Sequence, residues 1–132
     1  MDSEKPRILV VDDEASVRHV LRSVLEMRGC HVTEAGSAEE ALQLLPQASP
    51  EVAIVDIILP GKSGLALLDE IMSRRPDCRV IVITSQSSPE TPGQLENLGA
   101  DAFLEKPFES LDQIWTTVKK ALAMSAEPFL RT

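Results

Sequence analysis

The chain has 132 residues, about one domain and enough to bury a real core. Its hydrophobic fraction is 43% with mean hydropathy near zero, as in soluble globular chains, and no apolar stretch is long enough to span a bilayer. A net charge of −8 argues against direct binding to nucleic acid, and the charged start Met1-Asp2-Ser3-Glu4-Lys5 lacks the apolar core of a signal peptide, so a cytoplasmic protein is expected.

Ile8 to Val11 reads as a buried strand. Val17, Val20, Leu21, Val24 and Leu25 recur at helical spacing, which predicts an amphipathic helix from Ala15 to about Arg28, stopped at Gly29. A more polar strand follows from His31 to Ala35 and fits a sheet edge. Ser37 with Glu40 is a capping-box pair, and its helix is expected to run to about Leu45 and stop before Pro46. Val52 to Asp56 is the third strand. Leu65, Leu68, Ile71 and Met72 mark a third helix that ends before Pro76.

Val80 to Ile83 is the fourth strand. The next segment breaks the pattern, because a helix capped by Ser88 would place Pro92 where an intrahelical N–H is needed. A cap at Thr91 with Pro92 in the first helical position avoids this and predicts a short, late-starting, mobile helix before Gly99. Ala102 to Leu104 is a short fifth strand. Ser110 with Gln113 caps a last helix, with an apolar stripe at Leu111, Ile114, Val118 and Leu122. Five strands alternating with helices imply right-handed crossovers and a parallel sheet covered on both faces, an α/β fold. Residues 6–123 form the expected domain, and 124–132 a tail or the start of a linker.

Cys30 and Cys78 read as buried apolar fillers, and His19 and His31 lack partners at zinc spacing. The chemistry lies elsewhere. Asp56 ends an apolar strand just before Leu59-Pro60-Gly61, and the carboxyl ends of strands are where open α/β sheets bind ligands. Asp12 and Asp13 end the first strand in the same way. Three carboxylates in one crevice repel unless a cation or protons neutralise them, and an all-oxygen set suits Mg²⁺. A carboxylate beside Mg²⁺ can attack phosphorus, Thr84 can offer a hydroxyl to a phosphoryl oxygen, and Lys106 can offer an ammonium. Singly, each residue has an ordinary explanation: Asp13 suits a first helical turn, Thr84 a strand end, Lys106 the surface and Phe103 the core.

Four motifs in order decide between these readings: Val10-Val11-Asp12-Asp13-Glu14, Asp56 to Gly64, Ile83-Thr84-Ser85, and Gly99 to Phe108 with Lys106-Pro107. Together they resemble the receiver domain of two-component response regulators, similar to the chemotaxis regulator, over about residues 6 to 123. The resemblance implies a flavodoxin-like three-layer α/β/α fold with a five-stranded parallel sheet in the order 2-1-3-4-5. It implies Asp56 as phosphoacceptor, served by a histidine kinase or phosphotransfer protein. It further implies Mg²⁺ held by Asp13 and Asp56, by Asp12 mainly through water, and by the Ile58 carbonyl. Thr84 and Phe103 take the switch positions, and Lys106 contacts the phosphoryl group across a cis bond to Pro107. The expected function is a phosphoacceptor switch that catalyses only its own phosphotransfer and dephosphorylation. It acts on an output domain or target protein, without membrane contact, as a monomer or weak dimer. Ile58, two residues past Asp56, is apolar where aspartyl-phosphate hydrolases carry a second acid, and with Gln86 two past Thr84 it predicts a long-lived phosphate. The other alternative is a phosphorylation-independent interaction module.

Overall fold

The computed structural model describes residues 5–85 and 92–125. Ten elements alternate: β1 (Arg7–Val11), α1 (Ala15–Met27), β2 (His31–Ala35), α2 (Ala38–Ala48), β3 (Val52–Asp56), α3 (Gly64–Arg74), β4 (Arg79–Thr84), α4 (Pro92–Asn97), β5 (Ala102–Glu105) and α5 (Leu111–Ser125). The sheet is entirely parallel with the order β2-β1-β3-β4-β5, so the polar strand β2 lies on an edge as its composition predicted.

Alternation along each strand divides the core into two layers. Ile8, Val10, Val52, Ile54, Ile81, Ile83 and Leu104 face one side, where Leu21 and Leu25 of α1 and Ile114 and Val118 of α5 cover them. Leu9, Val11, Ala53, Val55, Val80 and Val82 face the other, beneath α2, α3 and α4. β3 is buried throughout because both faces are roofed and both edges are paired. Each fully buried Leu or Ile contributes about 1.5–3 kcal/mol, so these layers supply the main drive to fold. Cys30 and Cys78 are buried inside these layers. Among the described residues no helix is long and apolar enough to cross a membrane.

Three details depart from the sequence pattern. Helix α2 continues through Pro46 to Ala48. Pro46 falls in the last turn and forgoes its own intrahelical N–H bond, yet the Ser49 N–H still closes the end onto the Leu45 carbonyl at 2.9 Å. Leu111 opens α5 but is 60% exposed, and Val20 is also exposed. Both sit at the edge of an apolar stripe whose centre alone meets the sheet. The short α4 begins at Pro92 as expected. Thr91, its expected cap, and Gln86 lie outside the described residues.

The amino ends of the strands are tied by ion pairs. Arg79, 5% exposed, binds Asp101 Oδ1 through Nη1 and the Met124 carbonyl through Nη2, both at 3.2 Å. Asp101 Oδ2 accepts the Val80 N–H at 2.9 Å. This knot joins β4, the start of β5 and the last turn of α5. At the opposite end of the sheet, α3 starts very close to β3. A Cβ on Gly64 would lie 2.3 Å from the Asp56 carbonyl oxygen and 2.6 Å from Ile57 Cα, so only glycine fits.

Candidate functional site

β1 and β3 are neighbours in register, with Val11 opposite Val55, so the residues that follow them emerge side by side. Asp12, Asp13 and Asp56 each present a carboxylate oxygen, and these oxygens lie within 4.8 Å of one another. Asp12 is fully buried, Asp56 is 7% exposed and Asp13 is open to solvent. Asp12 and Asp56 are fixed by the same local device. Asp12 Oδ1 accepts the Glu14 N–H and Asp56 Oδ1 accepts the Ile58 N–H, each at 2.8 Å and two residues ahead.

Lys106 reaches the acids from the residue after β5. The Lys106 N–H donates to the Thr84 carbonyl at 2.7 Å, which carries the β4–β5 pairing one step past the sheet, and the Lys106–Pro107 bond is cis. Lys106 Nζ donates to Asp56 Oδ2 and to Glu14 Oε1, both at 2.7 Å. Asp12 Oδ2 stands 2.9 Å from Nζ yet has no aligned hydrogen-bond partner. An open cleft of about 630 Å³ lies over this cluster, lined by Asp13, Glu14, Asp56, Ile58, Leu59, Pro60, Ser85 and Lys106.

The electrostatics follow from three carboxylates on one ammonium, with Asp13 beside two of them. Burial pushes Asp12 up to about 6, and the Asp56 charge adds to the rise; the Glu14 amide and the Lys106 charge hold it back. Burial alone would lower Lys106, but its contacts with Asp56, Glu14 and Asp12 outweigh this and raise it. Glu14 is lowered by its hydrogen bond to Lys106. The buried Asp12 oxygen without a hydrogen bond, the all-oxygen donor set and the surplus of negative charge fit a hard divalent cation such as Mg²⁺.

The residues predicted from sequence are therefore largely gathered. Asp12, Asp13, Asp56, Ile58 and Lys106 share the cleft or its floor. Thr84 is half-buried at the end of β4 and touches the group through its main chain, while Ser85 lines the cleft. Phe103 stands outside the cleft, opposite Val82, partly buried against the core layer beneath α2, α3 and α4. His19 and His31 are exposed. The contact missed from sequence is Glu14, 92 positions from its lysine. Its one visible signal is an unusual residue for a helix N-cap.

A parallel α/β sheet whose strand ends converge on an acid cluster and a lysine defines a flavodoxin-like protein with an acidic crevice at the carboxyl ends of its strands. Comparison with known proteins agrees in sequence and in structure. A family profile described as the response regulator receiver domain matches residues 8–119. The DNA-binding transcriptional regulator NtrC of Escherichia coli K12 is 35% identical over 116 residues, 88% of this chain and 24% of that protein. A cyclic di-GMP phosphodiesterase of Thermotoga maritima is 34% identical over 100 residues, 76% of this chain and 27% of that protein. The chain thus spans about a quarter of the length of these curated relatives. Among solved structures, the receiver domain of NtrX from Brucella abortus aligns with TM-score 0.82 and 36% identity, covering 88% of this chain and 98% of that one. A CheY-like receiver domain protein from Methanospirillum hungatei JF-1 aligns with TM-score 0.86 and 30% identity, covering 94% and 98%.

The chain belongs to the response regulator receiver domain family. Receiver domains of response regulators are in general switches rather than turnover enzymes, bind Mg²⁺ at an acidic pocket, and interact with histidine kinases and output domains.

Proposed function

We propose that this chain is a phosphorylation-controlled switch whose phosphoacceptor is Asp56. The observation that carries the reading is the acid cluster joined to Lys106, a negative crevice with an ammonium at its floor. An oxygen of Asp56 attacks the phosphorus of a phosphohistidine on a histidine kinase or phosphotransfer protein. The P–O bond forms as the P–N bond breaks, and the departing imidazole keeps the electron pair and takes up a proton. Mg²⁺, when bound, screens the acids and the incoming phosphoryl oxygens. Asp13, Asp56 and the Ile58 carbonyl are its direct ligands in this reading, and Asp12 holds it mainly through water.

Lys106 then exchanges a carboxylate oxygen for a phosphoryl oxygen, and the Thr84 hydroxyl turns to another. Phe103 follows as the second switch residue, biasing the β4–β5 surface toward an output domain or target protein. The same crevice hydrolyses the phosphate, so the chain catalyses only its own phosphotransfer and dephosphorylation. Ile58, 47% exposed at the mouth, hinders the attacking water and lengthens the phosphate lifetime. Residues 6–123 are the switching unit, acting in the cytoplasm as a monomer or weak dimer.

Intact mass after incubation with Mg²⁺ and acetyl phosphate tests the reading. One added phosphoryl group in wild type and none in Asp56→Asn is the expected result. No gain in wild type with acetyl phosphate or a phosphohistidine donor, with the fold and Mg²⁺ binding intact, would favour a phosphorylation-independent module.

A further inference from the structure

Glu14 occupies the N-cap of α1 but does not cap it: its side chain makes no hydrogen bond to the helix. Ser37 and Ser63, at the same position of α2 and α3, each accept a backbone N–H from three residues on. Glu14 instead spans to Lys106 at 2.7 Å. The contact joins the start of α1 to the residue after β5, 92 positions on.

The contact matters because of donor count. An ammonium has three N–H donors, and three carboxylate oxygens stand within 2.9 Å of Nζ, from Asp12, Glu14 and Asp56. Glu14 and Asp56 are hydrogen-bonded to Nζ and Asp12 crowds its remaining side, so a phosphoryl oxygen that approaches Lys106 competes with these carboxylates. Asp12 is buried, and Asp56 is the acceptor itself. The Glu14 side chain is 57% exposed and can turn into water at little cost.

We propose that Glu14 is a positioning residue that holds Lys106 in the resting crevice and restrains phosphorylation, and that its release accompanies phosphoryl engagement. This rests on Asp56 being the phosphoacceptor. Glu14 acts through Lys106, which the phosphoryl oxygen then takes over as a partner.

The test compares wild type, Glu14→Gln and Glu39→Gln. Glu39 is an exposed acid beside the loop that follows β3, where a Cβ on Gly61 would lie 3.5 Å from its Oε2, and it is not one of the groups on Lys106. Glu14→Gln removes no cap bond, and the main-chain bonds of residue 14 remain. Phosphorylation by acetyl phosphate with Mg²⁺, followed by intact mass, should run about two- to fivefold faster in Glu14→Gln, the range of one exposed ion pair. Glu39→Gln should match wild type. Equal acceleration in both variants would assign the effect to general charge repulsion and overturn the proposal. So would an unchanged or slower rate in Glu14→Gln.

A second measurement needs no phosphoryl donor. The Lys106 ammonium proton signal, followed by nitrogen-15 NMR, should be sharp in wild type and weakened or shifted in Glu14→Gln. The same signal in both proteins would overturn the latch whatever the kinetics. A wild type that never gains a phosphoryl group would instead overturn the role of Asp56, and the NMR comparison would still decide the contact.

Discussion

The two ends of the sheet both bury charge, and they do so on opposite terms. At the amino ends, Arg79 and Asp101 meet one to one at 3.2 Å, with the Val80 N–H and the Met124 carbonyl as further partners. At the carboxyl ends, Asp12, Glu14 and Asp56 all converge on Lys106, and Asp13 adds a fourth carboxylate beside Asp12 and Asp56. Each end leaves one buried atom without a hydrogen bond, Arg79 Nε and Asp12 Oδ2. An unpartnered atom is therefore not what separates them; charge balance is. A matched buried pair holds elements together. An unmatched buried cluster stores repulsion that a cation or phosphoryl chemistry can relieve.

Removing one charge at each end should give opposite signs. Arg79→Ala leaves Asp101 largely buried beside an empty site and strips a partner from the end of α5. A loss of about 3–5 kcal/mol in urea denaturation is expected; a change within error would mean the amino-end pair is ornamental.

Asp12→Asn should instead raise stability, by about 1–3 kcal/mol at pH 7 with divalent ions chelated, because a buried carboxylate no longer has to ionise. The pH dependence sharpens this. Asp12 is raised from 3.8 unfolded to about 6 folded, so between these values the folded state binds the proton more tightly. Its contribution is fully present below about pH 4 and is lost as pH rises through about 6. Wild type in chelator should therefore carry a downward slope across that window that Asp12→Asn lacks. A wild type and variant with parallel curves would contradict a burial penalty on the Asp12 carboxylate.

The smallest effect belongs to charge that is balanced but exposed. Arg74 pairs with Glu70 at 2.9 Å on the surface of α3, in i,i+4 spacing. Arg74→Gln should change stability by less than about 0.5 kcal/mol. A larger loss would show that pairing matters at this protein's surface as well as in its interior.

The fold was legible in the sequence where burial repeats with a period. β1, β3 and β4 are apolar runs ending on or near polar residues, and their order places the acids together. The departures lie where periodicity says nothing. Pro46 reads as a stop, but the helix forgoes that one N–H and closes three residues later through Ser49. Leu111 matches the stripe of α5 in spacing yet falls beyond the edge of the sheet it would cover. Within the site, Asp12, Asp13, Asp56 and Lys106 were readable because each ends or follows a strand. Glu14 and the Arg79–Asp101 pair were not, since side chains 92 and 22 positions apart meet only once the sheet is assembled. Gly64 was visible as a letter in a motif; its need for bare backbone appears only against Asp56 and Ile57.

The turn at Asp56 has one more consequence. A free carboxylate has two interchangeable oxygens, and a flip of the group swaps them. Here Oδ1 is held by the Ile58 amide two residues on and Oδ2 by the Lys106 side chain from the segment after β5. The flip is blocked and the two atoms become chemically distinct. The bond to Oδ2 can be exchanged without moving the backbone, so whatever approaches Asp56 through the cleft meets an acid with one fixed oxygen and one negotiable one.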